Sequence, residues 1–137
     1  MKEHQLQVRV RYSETDQMGV VYHGNYLPYF EIGRVEWLRS HGISYKSMEE
    51  HGIALPIVNI NINYKKPARY DDMLTVVTTL KSQESVKIEF ECKIENEEGV
   101  LLTTADFILV FVDVHTGRPT LPPDNVKAII EKVFSEV

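Results

Sequence analysis

Leu6, Val8, Val10 and Tyr12 alternate with Gln7, Arg9 and Arg11, the period-two signature of a half-buried strand. The next periodic stretch has a different spacing. Tyr26, Phe30, Gly33 and Trp37 share one face at a period of 3.6, flanked by Leu27 and Leu38, which predicts a long helix. Asn25 stands where an N-cap belongs, and Pro28 falls in the first turn, where the helix ladder needs no amide hydrogen. Glycine inside a helix costs roughly 1 kcal/mol against alanine, so Gly33 predicts that another backbone packs close to it. The helix should end near Ser40-His41-Gly42, and a short helical piece from Tyr45 to Glu50 is stopped by Gly52.

Beyond Gly52 the period is two. Ile60, Ile62 and Tyr64 alternate with Asn59, Asn61, Asn63 and Lys65, and Leu74, Val76, Thr78 and Leu80 follow a turn at Tyr70-Asp71-Asp72. Val86, Ile88, Phe90, Cys92 and Ile94 then alternate with Lys87, Glu89, Glu91, Lys93 and Glu95. A tight turn at Glu97-Glu98-Gly99 precedes one long run from Val100 to Val114, apolar on both faces in its second half, as in a strand covered on both sides. A turn from His115 to Pro119 and the pair Pro122-Pro123 lead to a closing helix from Asp124 to about Glu136. With no internal repeat, low-complexity segment or linker, residues 1–137 read as a single α+β domain. One long central helix lies against a curved antiparallel sheet of about five strands, four of them joined by short turns. Such a sheet has open edges that a second copy would cover, so a homodimer or larger homo-oligomer is expected.

Bulk composition narrows the function. A chain of 137 residues is long enough to bury a core without staples. Its net charge of −5 provides no basic face to displace counterions from nucleic acid, although a phosphate-bearing small ligand needs only a few local cations. Cys92 is the one cysteine, so no disulfide forms within the chain, and its place in an alternating strand reads as a small buried hydrophobe. No signal-peptide apolar region and no run of about 18 apolar residues is present, so neither secretion nor a membrane span is expected and cytoplasmic residence is the default. His4, His23, His41, His51 and His115 have no metal-ligand spacing, there is no G-x-S-x-G elbow, and no glycine-rich phosphate loop is present.

The chemically pointed stretch is Y-S-E-T-D-Q-M-G-V-V-Y-H-G-N-Y, from Tyr12 to Tyr26. It puts Asp16 in a loop that runs into a helix start at His23, Gly24 and Asn25. A carboxylate facing free helix-start amides is a minimal kit for acyl transfer: the acid attacks a carbonyl or activates water, and the amides receive the charge that develops on oxygen. The order of elements and this segment resemble the hotdog-fold acyl-CoA thioesterases of the 4-hydroxybenzoyl-CoA thioesterase type. The likeness extends through Y-K-K-P-A-R-Y-D-D, Tyr64 to Asp72, and the final long strand. The resemblance implies hydrolysis of an acyl-CoA thioester, with Asp16 as the catalytic carboxylate and His23 at the position whose backbone amide faces the thioester oxygen. It also implies a homodimer or homotetramer with the site between two subunits, and no cofactor beyond the coenzyme A of the substrate.

Other readings stand beside these. Glu14, two residues from Asp16, is an alternative acid or orients the loop by pairing with an arginine. The His23 side chain is a base or a substrate contact if it is not merely the carrier of its amide. Tyr22 lines the acyl pocket or joins the core, and Asn25 is a cap first and a ligand second. Gly24 belongs to the same substrate-facing turn. Lys65, Lys66 and Arg69 form the most basic short cluster, placed to meet coenzyme A phosphates or to end a strand in solvent. Glu31 and Glu36 lie on the long helix, where some related enzymes carry an acid. Rival functions are a non-catalytic acyl-CoA or acyl-carrier-protein binding module, a thioesterase acting on acyl-carrier protein, and a dehydratase or hydratase of the same fold.

Overall fold

The computed structural model describes residues 2–136. Its elements are β1 (Glu3–Arg9), α1 (Tyr26–Ser40), α2 (Tyr45–Glu50), β2 (Ile53–Ala54), β3 (Ile57–Tyr64), β4 (Met73–Glu84), β5 (Lys87–Glu95), β6 (Leu101–Val110), β7 (Val112–Asp113) and α3 (Asp124–Ser135). Two single 3₁₀ turns, Tyr12–Glu14 and His23–Asn25, bracket the loop before α1. The sequence periods map onto these elements closely. On β5 the residues Ile88, Phe90, Cys92 and Ile94 are buried and their alternates are not. The bounds of α2 coincide with the expected Tyr45 to Glu50, and its cap is Ser44, whose hydroxyl accepts from the Ser47 amide at 3.2 Å.

All five main strands pair antiparallel, in the order β1-β4-β5-β6-β3. The helix α1 packs against β1, β4 and β5, and the contact is built from aromatic side chains. The Phe30 ring meets Phe107 at 5.3 Å between centroids, and Trp37 meets Phe90 at the same distance. Both geometries are edge-on, the arrangement ring quadrupoles favour. Cys92 is buried in this layer, as expected, and burial pushes its thiol up to about 11. The amphipathic α3 seals a flank with Val126, Ile130 and Val133.

Four local expectations are corrected. Consecutive strands β3 and β4 are not neighbours: β3 pairs with β6 at one edge, and residues 65–72 cross to carry the chain to β4 beside the other edge strand, β1. The long final run is two strands broken at Phe111, whose amide donates to the Val86 carbonyl at 2.9 Å; its second piece, β7, forms a separate small sheet with β2. Asn25 makes no side-chain cap, because its amide group donates to the Glu14 carbonyl instead, at 2.8 Å. Leu27 is largely exposed rather than part of the core flank.

Gly33 does mark a close approach, but the neighbours are side chains of β4 rather than backbone. A Cβ there would sit 2.5 Å from Thr78 Oγ1 and 3.0 Å from Val76 Cγ1, both wholly buried. Both neighbours are β-branched and stiff, so neither moves aside cheaply. Gly33→Ala is therefore expected to destabilise the protein: overpacking costs about 1–3 kcal/mol, against a helix-propensity gain of at most about 1 kcal/mol. Urea unfolding measures the loss, which should shrink when the substitution is made in a Thr78→Ala background.

Candidate active site

Residues 15–21 make a tight loop closed by a bridge between Thr15 and Val21. The Asp16 amide donates to Val20 O at 2.8 Å, and Asp16 Oδ1 accepts from the amides of Met18 at 2.8 Å and Val20 at 3.4 Å. Gly19, at φ +78°, turns the chain back in the left-handed region that suits glycine. Among the described residues Oδ2 takes no hydrogen bond, so one oxygen of Asp16 is anchored and the other is presented. The loop is stitched to the crossover segment, with Val21 N donating to Ala68 O at 2.8 Å and Val20 bridging Arg69. Residues 65–72 are thus the second wall of the site, a role that the strand alternation before them does not announce.

His23 to Asn25 form a 3₁₀ turn that leads straight into α1. Its outermost amides, those of His23 and Gly24, have no acceptor among the described residues, as expected of a helix start. Three contacts fix the turn. The Tyr64 hydroxyl donates to His23 O at 3.0 Å, the Tyr22 amide donates to Glu14 O at 3.0 Å, and the Tyr22 ring stacks on His23 at 4.3 Å. Gly24 permits that stacking, because a Cβ there would meet Tyr22 Cε2 at 2.8 Å.

A cleft of about 300 Å³ joins the two walls, lined by Asp16, His23, Lys65 and Lys66 together with Tyr26 and Tyr64 and the apolar Val20, Val21 and Pro67. Four of the eight site residues expected from sequence therefore line one cleft. Tyr22, Gly24 and Asn25 shape the turn beside it, and Arg69 lies outside, its amide held by Asp72 Oδ2 at 2.8 Å. Two tyrosines escaped sequence reading. Tyr26 is buried, and desolvation raises its hydroxyl above the ordinary 10.0; it meets Tyr64 edge-on at 5.4 Å. The available signal was Tyr64 closing a strand just before Lys65-Lys66-Pro67.

Glu14 is the organiser of the loop rather than a second acid in the cleft. Its Oε1 accepts from the Arg11 amide and the Tyr29 hydroxyl, each at 2.8 Å, and its Oε2 accepts from the Arg11 guanidinium at 2.9 Å. Desolvation raises its carboxyl, but these donors outweigh it and hold the group below its ordinary 4.5. Burial and the Glu14 charge push the Tyr29 hydroxyl upward in turn. Glu31 and Glu36 are displaced from the cleft: Glu31 lines a different cavity, and Glu36 pairs with Arg39. No group of three or more metal-binding side chains exists among the described residues.

The model of a thioesterase-like superfamily matches residues 10–130. The chain belongs to that superfamily. Among its relatives is the acyl-CoA thioester hydrolase YbgC of Escherichia coli O6:H1, 36% identical over 121 residues, which cover 88% of this chain and 90% of that protein. The acyl-CoA thioesterase YbgC of Haemophilus influenzae is 34% identical over 122 residues, 88% of this chain and 89% of its own. A DHNA-CoA thioesterase from Staphylococcus aureus superimposes with a TM-score of 0.93 at 33% identity, covering 98% of this chain and 93% of that one. The protein is a hotdog-fold thioesterase, as the resemblance of its loop and element order implied.

Because Glu14 has a folded value below its unfolded one, its contribution is fully present above about pH 4.5 and is lost as pH falls through the folded value. Glu14→Gln should lower the unfolding midpoint at neutral pH and flatten the acid limb of the stability curve. Urea titrations between neutral pH and pH 3 check both.

Proposed function

We propose that this thioesterase hydrolyses an acyl-CoA thioester to the free carboxylic acid and coenzyme A, with Asp16 as general base or nucleophile. The supporting observation is the single cleft in which the presented Oδ2 of Asp16, the open turn at His23 and the adjacent Lys65 and Lys66 come together. A thioester is already activated, so the chain's task is to place a base and to hold an oxyanion. In the general-base route Asp16 takes a proton from water as its oxygen bonds to the carbonyl carbon. The amides of His23 and Gly24 receive the oxyanion, the C–S bond breaks, and the proton passes to the departing thiolate. In the nucleophilic route Asp16 forms a mixed anhydride that water then opens, leaving the same products. Lys65 and Lys66 meet phosphates of coenzyme A as point charges, while Tyr22, Gly24 and Asn25 act through the shape of the turn. Arg69 serves the wall rather than the substrate.

A second copy completes the site in this reading. The edge strand β3 pairs on one side only and exposes Ile57, Val58, Ile60 and Tyr64, a long apolar edge of the kind that associates unless covered. Tyr64 sits in the cleft, so a partner on this edge lies against the substrate path.

Thiol release over a panel of acyl-CoA thioesters tests the reaction. Asp16→Asn should reduce kcat by about 100-fold or more, whereas His23→Ala, which keeps the backbone amide, should cost far less. Full activity in Asp16→Asn, or no thiol release with any thioester, sinks the reading. Light scattering should give a dimer or tetramer, and Ile60→Asp should shift that mass downward and reduce turnover together.

A further inference from the structure

Arg34 has no place in the site described above, yet it is the most unusual charge in the molecule. It lies on α1, 7% exposed, and its Nη1 is buried without an acceptor. No hydrogen bond or ion pair to the guanidinium exists among the described residues; the face of Phe107 lies 4.6 Å from Cζ, and Cys92, Tyr45 and Glu31 act on the charge only through space. Desolvation by burial, the dominant influence, pulls it below its ordinary 12.5. A cation–π contact of this kind recovers only part of what the guanidinium loses on leaving water. A buried charge without a hydrogen-bonded partner is among the costlier features a fold can carry, and the acids nearest to it, Glu31 and Glu49, make no ion pair with it, which leaves room for an acceptor from outside the chain.

Arg34 lines a cavity of about 330 Å³ with Val35, Tyr45, Lys46 and the acids Glu31 and Glu49. Two independent rulers relate this cavity to the cleft. Along α1, Tyr26 and Arg34 are eight residues apart, about 12 Å at 1.5 Å per residue. Along β3, Tyr64 touches Tyr26, and Ile60 is the register partner of Phe107, the ring beneath Arg34. Those four residues span about 13 Å at 3.3 Å each. Strand alternation puts Ile60 and Ile62 on the face of β3 that carries Tyr64. The Arg34 cavity and the cleft are separate, and the stretch of β3 between them is of chain-like length, with Ile60 and Ile62 exposed or half-exposed along it. Glu31 and Glu49 are exposed and screened by water, with Lys46 beside them, whereas Arg34 is enclosed, so the enclosed charge dominates for a group that reaches it.

We propose that Arg34 binds a carboxylate at the far end of the acyl chain, so that the enzyme selects mono-thioesters of dicarboxylic acids. The proposal rests on the thioester hydrolysis argued above and adds its acyl specificity. The chain lies over Ile62 and Ile60, its thioester carbonyl stays at Asp16, and its terminal carboxylate takes the donors that the protein leaves unpaired.

Adipoyl-, suberoyl- and sebacoyl-CoA are compared with hexanoyl-, octanoyl- and decanoyl-CoA in wild type and Arg34→Met. At the best length kcat/KM for the dicarboxylic thioester should exceed that of its plain counterpart by about ten-fold or more. In Arg34→Met that ratio should fall to about one. The Tm of the variant should hold or rise, because a buried unpaired charge is replaced by an apolar side chain of similar length. Plain thioesters hydrolysed with no dicarboxylic preference at any length, or a preference that survives in Arg34→Met, overturns the proposal while leaving thioester hydrolysis intact. A sharp fall in Tm assigns Arg34 a structural role and overturns it as well.

Discussion

Glu14 ties together three segments that otherwise have no reason to hold one geometry. Its carboxylate is shared between Arg11, two residues past the end of β1, and Tyr29, one turn into α1. Its carbonyl receives the Tyr22 amide and the Asn25 side chain. Loop entry, 3₁₀ turn and helix are thereby referred to a single residue two positions from Asp16. Backbone alone would leave the Asp16 loop free to tilt against the helix start, and in the proposed mechanism a misplacement of about an ångström is costly. The charge on Glu14 matters because charge-assisted hydrogen bonds are roughly twice as strong as neutral ones. The acid that looked like a rival to Asp16 in sequence is what fixes the loop that carries Asp16.

The same residue explains a local misreading. Asn25 has the right chemistry and position for a helix cap, but capping is a competition among nearby acceptors and donors. Here the Glu14 carbonyl wins its amide, and a 3₁₀ turn preceding α1 takes over the helix start. What was legible elsewhere follows the same logic in reverse. The alternation of Ile88, Phe90, Cys92 and Ile94, the stop at Gly52 and the anomaly of Gly33 are local signals that tertiary structure had no reason to override. The pairing of β3 with β6 was not legible, because alternation says that a strand has two faces and nothing about which strand lies beside it. The split at Phe111 escaped for a related reason: a continuously apolar run carries no mark at the point where the chain leaves one sheet for another.

Asp16, His23, Lys65 and Lys66 were readable as cleft residues and Tyr26 and Tyr64 were not, and the division is physical. Asp16 and His23 sit in one short segment whose residue types are constrained by chemistry. Tyr26 and Tyr64 belong to a helix and a strand whose residue types are equally explained by packing, so nothing in their spacing separates a cleft wall from a core. Lys65 and Lys66 read as phosphate contacts or as a solvated strand end, two readings that local sequence does not separate. Only the crossover to β4 brings them beside Asp16.

That crossover also accounts for the asymmetry of the two sheet edges. The strand β1 keeps alternate residues half-buried under α1, whereas β3 is exposed along nearly its whole length. Placing the helix over β1, β4 and β5 leaves the β3 side of the concave face without a covering helix. Two tyrosine hydroxyls bracket the uncovered stretch: Tyr64 donates to the His23 carbonyl near the start of α1, and Tyr45 of α2 donates to the Leu55 carbonyl just before β3 begins. Each ties a side chain of one element to the backbone of another, Tyr64 of β3 to the turn before α1 and Tyr45 of α2 to the segment before β3. Hydrogen bonds at both ends of the uncovered stretch fix the strand against the helices there, and the two groups that the core does not use, the carboxylate of Asp16 and the guanidinium of Arg34, line two separate cavities.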